Sequence, residues 1–166
     1  MRRQGVFLSV LLVMTLCACG GAQPSPAPAH GQRLTASDGS FTMTVPKGWS
    51  AHESQAQDPI VLVAQGTNKV NQLLVSEFEG KDEAENNAIF AVTGLLDGGT
   101  ECKRTKPASN LVFDCAGNYQ GMPYRKLFFP IEHGNNSYLV LVQTQGETLS
   151  DAGKVASPIV ASIEFS

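Results

Sequence analysis

One short segment of the chain, HESQAQD at 52–58, contains the residue types of a nucleophilic catalytic triad. A histidine base, a serine hydroxyl and a carboxylate are present there as His52, Ser54 and Glu53 or Asp58. Side chains that are neighbours in one short segment rarely converge in the geometry that acyl transfer needs. An exposed polar loop is therefore the alternative interpretation of this segment.

Two carboxylates, Glu77 and Glu79, have the i, i+2 spacing that places both on one face of a β-strand. The two carboxylates could act as a general acid and base pair, or they could simply belong to a solvated face of the strand. The sequence contains no G-x-S-x-G elbow, no H-E-x-x-H, no P-loop and no G-x-G-x-x-G. It therefore predicts a protein that is not an enzyme and has no cofactor or metal. A hydrolase whose site is assembled from distant residues is the alternative.

The chain begins with the pattern of a secretory leader. Arg2 and Arg3 precede an uncharged apolar run of 11 residues from Val6 to Leu16, and small residues follow. That run is well short of the roughly 20 residues that a helix needs to span a bilayer. We therefore expect the leader to be removed rather than kept as a transmembrane anchor.

The leader ends in Leu-Cys-Ala-Cys at 16–19, which resembles the bacterial lipobox. In that family the invariant cysteine is diacylated, the leader is cut just before it and the new amino terminus is acylated. The resemblance thus implies that Cys19 carries lipid, which anchors the protein to the bilayer at about 0.8 kcal/mol per buried methylene. The residue after the lipobox cysteine is Gly20 rather than Asp, and this favours anchoring at the outer membrane over the inner membrane. The domain would then face the periplasm. An ordinary secretory signal with two incidental cysteines is the alternative.

After a signal peptide at 1–18, the segment 19–32 is rich in Pro, Gly and Ala and lacks large apolar side chains, which is typical of a tether. Residues 33–166 have the length of a single globular domain. Loss of Arg2 and Arg3 with the leader leaves 10 basic against 15 acidic residues, a net charge of −5. An acidic chain without a basic stripe argues against a nucleic-acid partner.

Cys102 and Cys115 are the two cysteines of the predicted domain. If the chain turns at 106–111, antiparallel pairing places Cys102 opposite Cys115. In an oxidising compartment this predicts a disulfide, which would contribute roughly 3 kcal/mol by closing a loop of about 14 residues. A redox pair or a metal site is the alternative, although there is no C-x-x-C and neither His52 nor His133 lies close in sequence.

Alternation of apolar and polar residues predicts the strands that position these groups. Phe41, Met43 and Val45 alternate with Thr42 and Thr44, and a Ser-Asp-Gly turn before them indicates a hairpin. Further strands are predicted at 59–65 and 72–79, and then, after a helix, at 100–106, 111–119, 123–132 and 137–145.

The period changes to three and four residues in KDEAENNAIFAVTGLLDGG at 81–99, which predicts an amphipathic helix. Its apolar stripe comprises Ala84, Ala88, Ile89, Val92, Leu95 and Leu96. A second helix is predicted near the C-terminus, where Val155, Ile159 and Ile163 share a helical face. Because Pro158 would kink or restart it, the firm helix is expected from about Ser157.

This order of elements predicts an α+β domain, with an antiparallel sheet of about six to eight strands covered by one long central helix and a C-terminal helix. The stretch FTMTVPKGW, the central helix, the meander and the closing IVASIEF resemble a known fold. It is the fold of the PsbP subunit of photosystem II, of a Ran-binding nuclear transport factor and of bacterial DcrB-type lipoproteins. The resemblance covers residues 34–165 and implies that Phe41 and Trp49 are core residues, but it transfers no functional residue.

The segment NYQGMPYRKLFFP at 118–130 gathers amphipathic and basic side chains around a Gly-Met-Pro turn. Tyr119, Met122, Tyr124 and the basic Arg125, which is followed by Lys126, are candidates for partner binding because Tyr, Met and Arg are enriched in protein interfaces. The alternative is that these residues simply alternate between the two faces of a sheet.

The sequence thus favours a non-catalytic lipoprotein, membrane-anchored and facing the periplasm, that binds an envelope protein or a small amphiphile. An immunity or inhibitor protein against a secreted toxin is the alternative, and a neighbouring gene for the toxin would support it.

Overall fold

The structure of the protein, a computed structural model, describes residues 31–52, 57–105, 113–146 and 148–166. These residues form two antiparallel sheets and two helices, which confirms the expected α+β class. The elements are β1 (Gln32–Thr35), β2 (Phe41–Val45), β3 (Ser50–Ala51), β4 (Ile60–Gln65), β5 (Gln72–Glu79), α1 (Glu83–Asp97), β6 (Glu101–Arg104), β7 (Phe113–Tyr119), β8 (Met122–His133), β9 (Asn136–Gln145), α2 (Leu149–Ala161) and β10 (Glu164–Phe165). Neither helix is long and apolar enough to span a bilayer.

The larger sheet has seven strands in the order β3-β4-β5-β9-β8-β7-β6. From β6 to β9, each strand pairs with the next in the meander predicted from the sequence. The chain leaves β5 through α1, which packs on one face of the sheet, and enters the meander at the far edge. The last strand of the meander therefore pairs with the strand that precedes the helix.

The smaller sheet joins the two ends of the domain. β1 pairs with β2 in the predicted hairpin, and β10 pairs with the other edge of β2. The expectation of a helical face that extends to Ile163 is wrong, because α2 ends at Ala161 and the next residues extend into β10. Phe165 of β10 packs against the rings of Phe41 and Tyr138, and this contact favours the strand over a longer helix.

Helix α2 begins at Leu149, so the expectation that the firm helix starts near Ser157 is wrong. Thr148 caps the helix, its hydroxyl accepting a hydrogen bond from the N–H of Asp151 at 3.1 Å. Its buried side chains are Ala152, Ala156 and Ile159. Because they lie on both sides of Pro158, their packing outweighs the single backbone hydrogen bond that the proline lacks.

Two apolar cores lie on opposite faces of the larger sheet. One core is enclosed by the smaller sheet and α2, and it includes Phe41 and Trp49, as expected from the sequence. The other lies beneath α1 and includes Phe113, Cys115, Phe128 and Leu139.

Helix α1 contacts the sheet through a narrower stripe than the sequence predicted. The side chains that face the core are Ala84, Ala88 and Val92, with Leu95 partly buried. Ile89 and Leu96 were expected in the same stripe but are 44% and 50% exposed, and Phe90 is 81% exposed. Each residue advances about 100° around a helix, so Ile89 and Leu96 lie well to one side of the alanine row.

The two domain cysteines occupy the register predicted for them. Cys102 on β6 is the direct partner of Cys115 on β7. Their Cα atoms are 4.0 Å apart and their Sγ atoms 2.05 Å apart, as in a disulfide. The turn predicted at 106–111 lies outside the described residues.

Candidate ligand-binding groove

A row of apolar side chains crosses three strands of the larger sheet on the face that carries α1. Val63 on β4 pairs with Leu74 on β5, and Leu74 pairs with Leu141 on β9. Leu141 in turn pairs with Phe128, which is buried beneath α1. Directly paired residues share a face of a sheet, so Val63 and Leu74 continue the helix-covered face towards β4. Among the described residues, neither of the two belongs to a core cluster.

These side chains form the floor of a groove of about 520 Å³. Val63, Leu74 and Leu141 are each only partly buried. The volume lies within the range of roughly 300–1,000 Å³ that is typical of small-molecule sites. The groove can therefore hold a small molecule with an apolar part.

Lys126 on β8 brings a positive charge to this groove. Burial lowers the pKa of Lys126 below its usual value, because the ammonium is partly removed from water. Its Nζ lies 5.6 Å from the centroid of the Tyr124 ring, within the range of a cation–π contact. Within the described part of the chain, Lys126 forms no ion pair. An apolar floor and a cation with no counter-ion among the described residues thus meet in one groove.

The four residues predicted to bind a partner do not share one face of the sheet. Tyr119, Met122 and Tyr124 lie on the face that carries α1, whereas Arg125 follows Tyr124 directly on the strand and lies on the opposite face. Tyr119 is 44% exposed. Consecutive residues of this segment thus alternate between the two faces of the sheet, as in the alternative interpretation of the sequence.

Arg125 is engaged with a buried carboxylate. Its Nη1 lies 2.6 Å from Oδ2 of Asp114, and the two side chains are only 20% and 6% exposed. Among the described residues, Asp114 Oδ1 and the hydroxyl of buried Thr144 have no hydrogen-bond partner. Removal of one member of a buried pair leaves an unpaired charge, at a cost of roughly 3–5 kcal/mol. Loss of the Arg125 side chain would therefore destabilise the domain by leaving the Asp114 carboxylate unpaired.

A second cleft, of about 660 Å³, lies near the start of β4 and the end of β5 and is acidic. Its carboxylates are Asp38, Asp58, Glu77 and Glu79. Glu77 is partly buried and accepts hydrogen bonds from the Asn136 amide and, at 3.0 Å, from the Tyr138 hydroxyl. The described residues hold no cluster of His, Cys, Asp and Glu suited to a metal ion.

Two groups at this cleft have shifted pKa values. Burial alone would raise the pKa of Asp38, but hydrogen bonds from the N–H and the hydroxyl of Ser40, at 2.9 and 2.7 Å, hold it below its usual value. Burial and the hydrogen bond to Glu77 raise the pKa of the Tyr138 hydroxyl. Asp38 is thus stabilised as an anion by the turn that it closes.

The described triad candidates lie in separate cavities. His52 lines a cleft of about 300 Å³ in which none of the described lining residues is acidic. Asp58 lines the acidic cleft instead. Glu53 and Ser54 lie outside the described residues. The other histidine of the domain, His133, stacks on Phe165 with the ring centroids 4.2 Å apart.

Cys19 lies outside the described residues, as do the leader and the tether up to residue 30. The lipid anchor therefore stays a prediction. β1 begins at Gln32, where the tether was expected to end.

The groove was not predicted from the sequence. Lys126 was grouped with Arg125 as one basic pair, although neighbours on a strand lie on opposite faces. Its distance of two residues from the apolar Phe128 is the signal that could have placed Lys126 on the α1 face. Val63 and Leu74 carried no such signal, because a partly covered strand has the same composition as a buried one.

No protein-family model and no curated protein matches this chain. Solved structures share its fold. The Ran-binding protein Mog1p of Saccharomyces cerevisiae has a TM-score of 0.54 at 10% identity, over 82% of this chain and 95% of its own. Cyanobacterial PsbP (CyanoP) of Synechocystis has a TM-score of 0.51 at 13% identity, over 91% of this chain and 99% of its own.

A crystal structure from Bacteroides thetaiotaomicron has a TM-score of 0.52 at 14% identity over 82% of this chain, which spans only 49% of that protein. These similarities confirm the fold, shared by PsbP and the Ran-binding factor, that the sequence resembled. At such low identity they show the fold alone.

Proposed function

We propose that this protein is a non-catalytic lipoprotein of the cell envelope, held at the outer membrane by lipid on Cys19, that binds a small amphiphile from the periplasmic side. The tether at 19–32 would let the domain reach up to about 40 Å from the bilayer in extended form. The groove floored by Val63, Leu74 and Leu141 is the proposed binding site.

The observation that supports this function best is the combination of an uncovered apolar row with a cation. Val63 and Leu74 pair directly and stay partly exposed, although they lie on the same face as a buried core. Contiguous apolar surface of this kind is often functional, because a ligand that covers it removes the surface from water. Lys126 lines the same groove and would suit the polar end of an amphiphile.

Metabolic labelling with radioactive palmitate tests the anchor. The wild-type chain is expected to incorporate label and to fractionate with membranes, and Cys19→Ser should lose both properties. Cys17→Ser is the matched control and should keep them, because the lipobox resemblance places the modified sulfur at Cys19. Label retained in Cys19→Ser would contradict the anchor.

Titration with decanol tests the groove in the mature chain carrying Cys19→Ser. Methyl resonances of Val63, Leu74 and Leu141 should shift on binding, and Leu74→Gln should weaken binding by about tenfold or more because it places an amide on the apolar floor. Leu149→Gln changes an apolar residue that is 39% exposed on α2 and should leave binding unchanged. Saturable binding with no shift in the three groove residues would place the ligand elsewhere.

A protein partner is a second candidate, favoured by the outer face of α1. Ile89, Phe90 and Leu96 are all at least 44% exposed there, and a toxin neutralised by this protein would be one such partner. A photo-cross-linking residue at position 90 in living cells should give a discrete adduct. The same residue at position 119 tests the exposed end of the β7–β8 hairpin. Absence of an adduct from both positions would argue against this candidate.

A further inference from the structure

We propose that the ligand of the groove is an unesterified fatty acid, with its carboxylate on Lys126 and its acyl chain along Val63, Leu74 and Leu141. This inference rests on the proposed function of the groove and names the class of ligand.

The charges that line the groove favour a ligand with one negative charge. Among the described residues that line it, Lys126 is the only charged side chain, and the polar neighbours Gln65 and Gln72 are neutral. One ammonium balances one carboxylate, whereas the second charge of a phosphate monoester would stay uncompensated in a partly buried site. The groove therefore suits a carboxylate better than a phosphate.

Among the described residues, the Lys126 ammonium donates no hydrogen bond. Its direct partners on the neighbouring strands are Cys115, whose sulfur is bonded to that of Cys102, and Gln143. The Gln143 amide donates to the Val70 carbonyl at 2.7 Å. The Tyr124 ring lies beside the ammonium at a cation–π distance. An ammonium carries three hydrogen-bond donors, and a carboxylate in the groove would accept from it with the strength of a charge-assisted bond.

The size of the groove favours a ligand with one acyl chain. A volume of about 520 Å³ is in the middle of the range for small ligands, and its floor is one row of side chains wide. Paired strands are about 4.8 Å apart, so the row from Val63 to Leu141 extends about 10 Å across the sheet. A fatty acid that lies along this row would bring its carboxylate to β8, the next strand, where Lys126 is located.

Calorimetric titration with decanoate, decanol and decyl phosphate tests this inference on the mature chain carrying Cys19→Ser. Decanoate should bind about tenfold or more tightly than decanol, because only the acid forms a charge-assisted bond. Lys126→Met should abolish that preference while decanol binding persists, and Lys126→Arg should restore part of it. Lys103→Met removes an exposed lysine on the opposite face and should change nothing.

The outcomes separate this inference from the proposed function. Equal affinity for decanoate and decanol would overturn the carboxylate assignment and leave the groove as an amphiphile site. Tighter binding of decyl phosphate would overturn it in favour of a phosphorylated ligand. Failure of all three to bind would overturn the proposed function as well. If Lys126→Met fails to fold, the ratio of decanoate to decanol affinity in the wild-type chain still tests the carboxylate assignment.

Discussion

Gly117 on β7 faces Tyr124 on β8 so closely that a Cβ at position 117 would lie 2.3 Å from Cζ of the tyrosine ring. The missing side chain lets this ring lie against the β7 backbone, as aromatic residues often do opposite a glycine in a sheet. The same ring contacts Nζ of Lys126. Gly117 therefore helps to determine where the cation of the groove is held.

Substitution of Gly117 should disturb both packing and the groove. We expect Gly117→Ala to displace the Tyr124 ring and to lower the free energy of unfolding by roughly 1–3 kcal/mol. Gly153→Ala in α2 is the control, because a Cβ there would meet nothing within 4 Å. It should raise stability by roughly 0.5–1 kcal/mol, as Gly→Ala does within helices. Urea unfolding of the two variants checks this, and equal effects would contradict the steric argument.

The pairing of Cys102 with Cys115 predicts a disulfide in material from the periplasm. Intact mass should rise by two hydrogens on reduction, and Cys102→Ser with Cys115→Ser should lower the free energy of unfolding by about 3 kcal/mol in the chain-entropy model. Reduction of the double variant should have no further effect, which separates loss of the bond from general damage. Two free thiols in the native protein would rule the bridge out.

The depressed pKa of Lys126 predicts an alkaline effect on stability. The unfolded chain holds this proton more tightly, so the free energy of unfolding should rise with pH between the lowered pKa and the ordinary value of 10.5. Lys126→Met should be more stable than wild type at neutral pH, with the difference shrinking across that window. No described residue that lines the groove offers a carboxylate to cancel the effect. Urea unfolding as a function of pH measures it, and a difference independent of pH would refute it.

Asp38 predicts a second rise of stability with pH, on the acid side. Its pKa lies below the ordinary value of 3.8, so its contribution to stability is present above that value and is lost as pH falls through the lowered pKa. Asp38→Asn should flatten the acid side of the stability profile, while Glu132→Gln provides a matched change at an exposed carboxylate outside the cleft. An unchanged profile in Asp38→Asn would show that the turn around Ser40 does not depend on the charge.

Local patterns in the sequence were sufficient for much of the fold. The disulfide register followed from the geometry of one hairpin, and the strand and helix segments followed from periods of two and three to four residues. The two-residue strands β3 and β10 were not predicted, because they are too short to show a period. Pro158 misled the assignment of α2, since the local preference against proline was weaker than the packing of Ala156 and Ile159 on either side of it.

The sequence by itself determined the α+β class, the meander and the cysteine register, because each depends on neighbours along one or two adjacent strands. Only the tertiary structure decided that β9 pairs with β5, that Arg125 joins Asp114, and that Val63 and Leu74 stay uncovered beside Lys126. The exposure of Val63 and Leu74 depends on how much of the sheet α1 covers. An apolar residue has the same appearance in the sequence whether a helix covers it or leaves it open to a ligand.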